Sequence, residues 1–151
     1  MSTPLSDVFD LFTMTVTDYR LIDLYERSTV EFENYLEAWL IFSINDFTMC
    51  DQSLIFDEDT NLFTATLSQK NKVILAMLMM KYWLKKMVSD VTQINLHITD
   101  RDFKMASEAQ NLKEKRNYLG FVTEECSQML NNYAYNDFDW DDWYEQDFKG
   151  D

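Results

Sequence analysis

The chain has 151 residues, enough for one domain with a core of its own. Hydrophobic residues make up 46% and aromatics 15%, which excludes a disordered composition, and only two glycines and one proline argue against a turn-rich sandwich or barrel. The net charge of −14, from 27 acids against 13 bases, disfavours ordinary binding to nucleic-acid phosphates or to an anionic membrane.

Ser2 or Thr3 can cap a first helix, with Pro4 at the first position, where its missing N–H costs nothing. Leu5, Val8, Phe9 and Phe12 then fall at i, i+3, i+4 and i+7, one apolar stripe. The β-branched run TMTVT that follows is expected to be a brief extended segment. A second helix starts at Ser28, with Glu31 at the capping-box spacing. Phe32, Tyr35, Leu36, Trp39, Leu40, Ile44 and Phe47 keep its 3.6-residue period. Residues 48–67 break that pattern: SLIF and LFTAT flank the acidic turn DEDTN, which suits a small β-hairpin. Two strands alone are barely stable, so such a hairpin has to lean on the helices or on another subunit.

Ser68 opens a third helix, in which Val73, Ile74, Met77, Leu78, Lys81, Leu84, Lys85 and Val88 share a row and Leu75, Met79, Met80 and Tyr82 add apolar surface on other sides. A helix apolar over more than one face is central, or is shared with a neighbour. Lys85 and Lys86 sit in its C-terminal half, where cations suit the helix dipole. A fourth helix begins at Thr99 or Asp100 and runs for about 30 residues, or about 45 Å. Met105, Ala109, Leu112, Arg116, Leu119, Thr123, Cys126 and Leu130 give it a loose heptad. The expected fold is mainly α: a bundle of about four helices over residues 1–131, with a long fourth helix, a small hairpin between helices 2 and 3, and an extended tail over 132–151.

That tail, NNYAYNDFDWDDWYEQDFKGD from residue 131, alternates aromatic and acidic side chains. Tyr133, Tyr135, Phe138, Trp140, Trp143, Tyr144 and Phe148 are the candidate partner-binding residues, because Tyr and Trp bury large area at low rotamer cost. The acids between them hold the segment in solution before docking, so a segment that orders on binding is expected, its aromatics entering pockets and its acids meeting a basic rim. Deleting residues 133–151 is then expected to leave a helical monomer and abolish assembly.

Nothing in the sequence builds a catalytic constellation. His97 is the lone histidine, and no Cys–His metal set can be made from it. Asp57, Asp59 and Asn61 match the start of a calcium loop, but Leu62 stands where glycine is needed and Ser68 where a bidentate Glu is needed. Gly120 and Gly150 cannot form a phosphate-binding loop. Met77, Met79 and Met80 read better as core than as an adaptable groove. The expectation is a protein that is not an enzyme and takes no cofactor or metal. Cys50 and Cys126 read as buried or half-buried thiols, and VILAMLMM is too short to span a bilayer. With no signal-peptide pattern at the start, an aqueous, reducing compartment and no membrane partner are expected.

Several stretches in order carry a family resemblance. PLSDVFDLFTMTVTDYRLIDL, FENYLEAWLIFSINDF, VILAMLMMKYWLKKMV and above all TDRDFKMASEAQNLKEKRNYL resemble segments of the head-to-tail adaptor, or connector, proteins of tailed bacteriophages. The resemblance covers most of residues 4–120 and rests on order and spacing, not on any single motif; it does not include the aromatic–acidic tail. It implies a virion component of the neck, assembled in the host cytoplasm. Such adaptors are helical bundles that form a homo-oligomeric ring, commonly of twelve copies, beneath the portal protein. They join the capsid to downstream tail or neck proteins and extend the channel through which DNA passes without specific binding. An acidic wall would not retain passing phosphates, so acids are expected to line the lumen. The competing class is an acidic DNA mimic that occludes a DNA-binding host protein, and a third is a helical scaffold or chaperone subunit of another assembly.

Overall fold

A computed structural model describes residues 2–16, 18–97 and 102–136. The fold is mainly helical with one small antiparallel hairpin. In chain order the elements are α1 (Leu5–Thr15), α2 (Tyr19–Arg27), α3 (Thr29–Asp46), β1 (Phe56–Asp57), β2 (Leu62–Phe63), α4 (Gln69–His97) and α5 (Asp102–Asn136).

The helix starts follow local chemistry. Asp18 accepts the backbone N–H of Arg20 at 2.9 Å and caps α2. Ser28 accepts from Glu31 N at 3.3 Å and caps α3, and Ser68 accepts from Asn71 N at 3.2 Å at the head of α4. Each bond satisfies a backbone donor that the first turn leaves without a partner. α1 departs from expectation: Pro4 is extended and precedes the helix, and neither Ser2 nor Thr3 caps it, the Thr3 hydroxyl being bonded to Leu67 N instead.

α4 is the central element, packing against α1, α3 and α5. Phe12, Leu36, Leu40, Leu75, Leu78 and Met79 are fully buried where these helices meet. Met80 is buried and Met77 packs half-buried against the same core, so the methionine run is core. α1 runs parallel to α4, since Asp7 pairs with Lys72 at 3.3 Å while Phe12 meets Trp83 edge-on at 6.4 Å. α5 runs antiparallel to α4: Cys126 Sγ lies 3.5 Å from the Met77 carbonyl, and Lys70 sits over the Tyr133 ring. α3 is tied to α4 by Asp46, which accepts from Lys81 Nζ at 2.5 Å and from Tyr82 Oη at 2.7 Å. Burial pushes the Asp46 carboxyl up, but these two bonds and the charges of Lys81 and Lys85 outweigh it and hold it below the usual range.

The hairpin pairs Phe56 with Phe63 and Asp57 with Leu62. Residues 3–5 stabilise it from the other edge of β2. Phe63 N donates to Thr3 O at 2.8 Å, Leu5 N to Asn61 O at 3.0 Å, and the Thr3 hydroxyl accepts from Leu67 N at 2.8 Å. Asp57, Asp59 and Asn61 build its turn: Asp57 accepts from Asp59 N at 2.9 Å, and Asn61 takes a positive φ of 54°, which Asn tolerates better than most residues.

Three further boundaries differ from the sequence reading. α2 was not expected; it is nine residues long, with Leu21 its one buried apolar residue among those described. TMTVT is not an extended segment: α1 continues through Thr15, with the hydroxyls of Thr13 and Thr15 bonded to the Asp10 and Phe12 carbonyls, and among the described residues of the run Val16 alone is extended. α5 begins at Asp102, and Thr99 and Asp100 lie outside the described residues; at its far end it continues through Asn136, past the expected tail boundary at 132.

Candidate functional site

Among the described residues, no group of three or more His, Cys, Asp and Glu side chains could hold a metal ion. His97 is the last residue of α4. Burial pushes the thiols of Cys50 and Cys126 up, which keeps them protonated and poorly nucleophilic. No helix among the described residues is long and apolar enough to cross a membrane.

Of the seven aromatics expected to bind a partner, the structure describes two. Phe138, Trp140, Trp143, Tyr144 and Phe148 lie outside the described residues. Tyr135 is exposed on the last turn of α5. Tyr133 is a correction: it is 6% exposed and belongs to the core. Its ring meets Phe47 edge-on at 4.9 Å. Its hydroxyl accepts from Asp51 N at 3.0 Å and donates to the Asp51 carboxylate. Asn71, 1% exposed, donates to Asp51 Oδ1 at 2.9 Å and to Gln52 Oε1 at 2.8 Å, and Gln52 reaches on to Ser68 N and Thr66 O. This knot fastens the end of α5 to the 48–67 connection and to the start of α4. The bonds from Tyr133 and Asn71 hold the Asp51 carboxyl below the usual carboxylate range, whereas burial and the Asp51 carboxylate push the Tyr133 hydroxyl up to about 12. The sequence makes Tyr133 a tail residue because Tyr133 and Tyr135, set among Asn131, Asn132, Ala134 and Asn136, show no helical apolar period.

Among the described residues the surface has several apolar grooves: one of about 330 Å³ lies between the start of α4 and the end of α5, and two lie beside α1–α3 and the hairpin. One, of about 500 Å³, lies between the C-terminal end of α1, α2 and the start of α3. Leu21, Ile22, Tyr25 and Phe32 line it, and Asp10, Asp18 and Glu26 supply its charges. Ile22 and Tyr25 are 46% and 56% exposed. The other, of about 420 Å³, lies between Ile41 and Ile44 of α3 and Leu54–Phe56. Val30, Ile41, Phe42, Met49 and Ile55 are exposed on the same elements. α3 is therefore apolar on the face that packs into the bundle and on parts of its outer surface.

The charge is divided along the fold. Residues 1–68, which form α1–α3 and the hairpin, hold 13 acids and only Arg20 and Arg27 as bases. Residues 69–116, α4 and the first half of α5, hold ten bases against five acids. Residues 117–151 hold nine acids and Lys149. The net −14 therefore conceals a basic stretch between two acidic ones. Comparison with family models, with curated proteins and with solved structures finds no match for this chain.

Proposed function

We propose that this chain is a non-enzymatic structural subunit of the phage neck, a head-to-tail adaptor that assembles as a homo-oligomeric ring beneath the portal protein. The observation that carries the reading is the exposed apolar surface. Ile22, Tyr25, Val30, Ile41, Phe42 and Ile55 lie open beside two grooves on one small bundle. Exposed apolar side chains gathered at grooves mark an interaction face more often than the same residues scattered singly. A ring covers it, because each copy presents one patch and receives another. The segment resemblance over residues 4–120 supplies the setting. The acidic body of residues 1–68 suits a channel wall that does not retain DNA phosphates.

The tail enters this proposal from residue 137 onward. Phe138, Trp140, Trp143, Tyr144 and Phe148 would anchor it on the portal or on a neighbouring subunit, with the acids between them meeting a basic rim. The test is immunolabelling of intact particles with antibody to this chain, combined with mass measurement of the purified protein. Label at the junction of head and tail and a ring-sized mass support the adaptor; label elsewhere, or a monomer at every concentration, removes it.

The density of carboxylates in residues 1–68 favours one other reading, a DNA mimic that occludes a basic host protein. A mimic would bind such a protein with steep salt dependence and would form no ring.

A further inference from the structure

The groove of about 330 Å³ between α4 and α5 opens beside the end of α5. Val73, Ile74 and Met129 give it an apolar wall, and Lys70 is the one charged residue among those that line it. Val73 is 39% exposed, so the groove is open to a side chain from outside. Two carboxylates border it: Asp51, already bonded by Tyr133 and Asn71, and Glu125, one turn before Met129. The groove therefore suits an aromatic side chain and offers no basic cradle for a polyanion. Its volume has room for one large ring and excludes a helix, which is about 10–12 Å across.

The segment after Asn136 is tethered next to this groove. Fifteen residues of the sequence follow Asn136, with Phe138, Trp140, Trp143, Tyr144 and Phe148 set among seven acids. α4 and α5 are antiparallel with Lys70 over the Tyr133 ring, so Val73 lies about 9 Å back along the helix axis from Asn136. Trp140 is four residues past Asn136, a reach of about 13 Å when extended. One chain reversal, begun at the turn-forming residues Asn136 and Asp137, therefore brings the indole to Val73 and Met129. The alternation of rings and acids fits this path. Successive side chains of an extended segment point to opposite faces, so Phe138 and Trp140 share one face and Asp137, Asp139 and Asp141 the other. Laid along an apolar seam, such a segment buries its rings and leaves its carboxylates in water. A tether this short gives the ring a local concentration on the order of millimolar at the groove, far above that of a second chain in dilute solution.

We infer that in the free chain residues 137–141 turn back on the same molecule and set Trp140 in the groove of Val73, Ile74 and Met129. The contact holds the anchoring segment in reserve. Docking on the portal or on a neighbour exchanges this groove for another, and only the difference between the two contacts appears as affinity. A single copy suffices for the folded-back contact, so it stands or falls apart from the ring.

The test places a thiol reporter in the groove of the full-length chain, Val73→Cys, and follows its alkylation by peptide mass spectrometry, with Cys50 and Cys126 as internal controls. A second chain carries the same substitution and ends at Asn136, and a third combines it with Trp140→Ala. Circular dichroism checks that all three are folded. The reporter is expected to react about tenfold more slowly in the full-length chain than in either of the others, and equally so on dilution, because a tethered ring covers it most of the time. Oxidation of Met129 in the unsubstituted chain, with and without residues 137–151, gives the same comparison with the groove intact. Equal rates in the full-length and truncated chains overturn the inference. Protection that fades on dilution assigns the groove to the tail of a second copy and overturns it as well. Protection that survives Trp140→Ala shows a different occupant, and the folded-back indole is then excluded.

Discussion

Tyr133 does two jobs that its sequence neighbours conceal: its ring seals the base of the core against Phe47, and its hydroxyl holds the Asp51 backbone and carboxylate. Tyr133→Phe keeps the ring and loses the hydroxyl, so it is expected to cost about 1 kcal/mol in urea unfolding. Tyr133→Ala opens a cavity as well and is expected to cost about 3–5 kcal/mol. The same pair sets a pH dependence. Because the folded Tyr133 hydroxyl titrates near 12 instead of near 10, its contribution is complete below about pH 10 and is lost as pH rises toward 12. Asp51 is depressed on folding, so its contribution is present above about pH 4 and is lost as pH falls through its folded value. Thermal melts across pH are expected to fall at both ends, and Tyr133→Phe to flatten the alkaline limb and weaken the acid one. Unchanged limbs in the variant would show that the knot contributes nothing to stability.

At the scale of elements, the caps and stripes decide most of the fold. Ser28→Ala removes the acceptor for Glu31 N and is expected to cost about 1 kcal/mol, read by chemical unfolding. Leu40→Ala, at a fully buried position between α3 and α4, is expected to cost about 2–5 kcal/mol in the same assay. These positions are legible in sequence because the signal is local: Ser28 with Glu31, Leu5 with Val8, Phe9 and Phe12, and the DEDTN turn each lie within two turns of chain. α2 escapes such reading because a nine-residue helix with one buried apolar side chain carries a short stripe, although Asp18 before it is a cap signal. The end of α5 escapes it for a different reason. Tyr133 is core only because Asp51, 82 residues earlier in sequence, lies beside it. Of the interaction site, the abundance of aromatics and acids is visible in the sequence. The division of charge between body and long helices is also present there, but a total of −14 averages it away.

For the molecule as a whole, the extent of α5 alters how the tail must be tested. Deleting residues 133–151 removes the Tyr133 knot along with the tail, so loss of assembly in that deletion would have two causes. Deleting residues 137–151 spares the helix and is expected to leave circular dichroism unchanged while preventing docking on the portal or a neighbour. A truncation that still docks normally would leave the tail without a role there. A last consequence follows from the strand-like pairing of residues 3–5. Thr3 waits for Phe63, Ala65 and Leu67, up to 64 residues later in sequence, and Asp51 waits 82 residues for Tyr133. For a helical protein these are distant closures, and distant closures slow folding. The nascent chain therefore holds α1 unsecured until β2 and α4 have been made, when its exposed greasy side chains are most open to premature association.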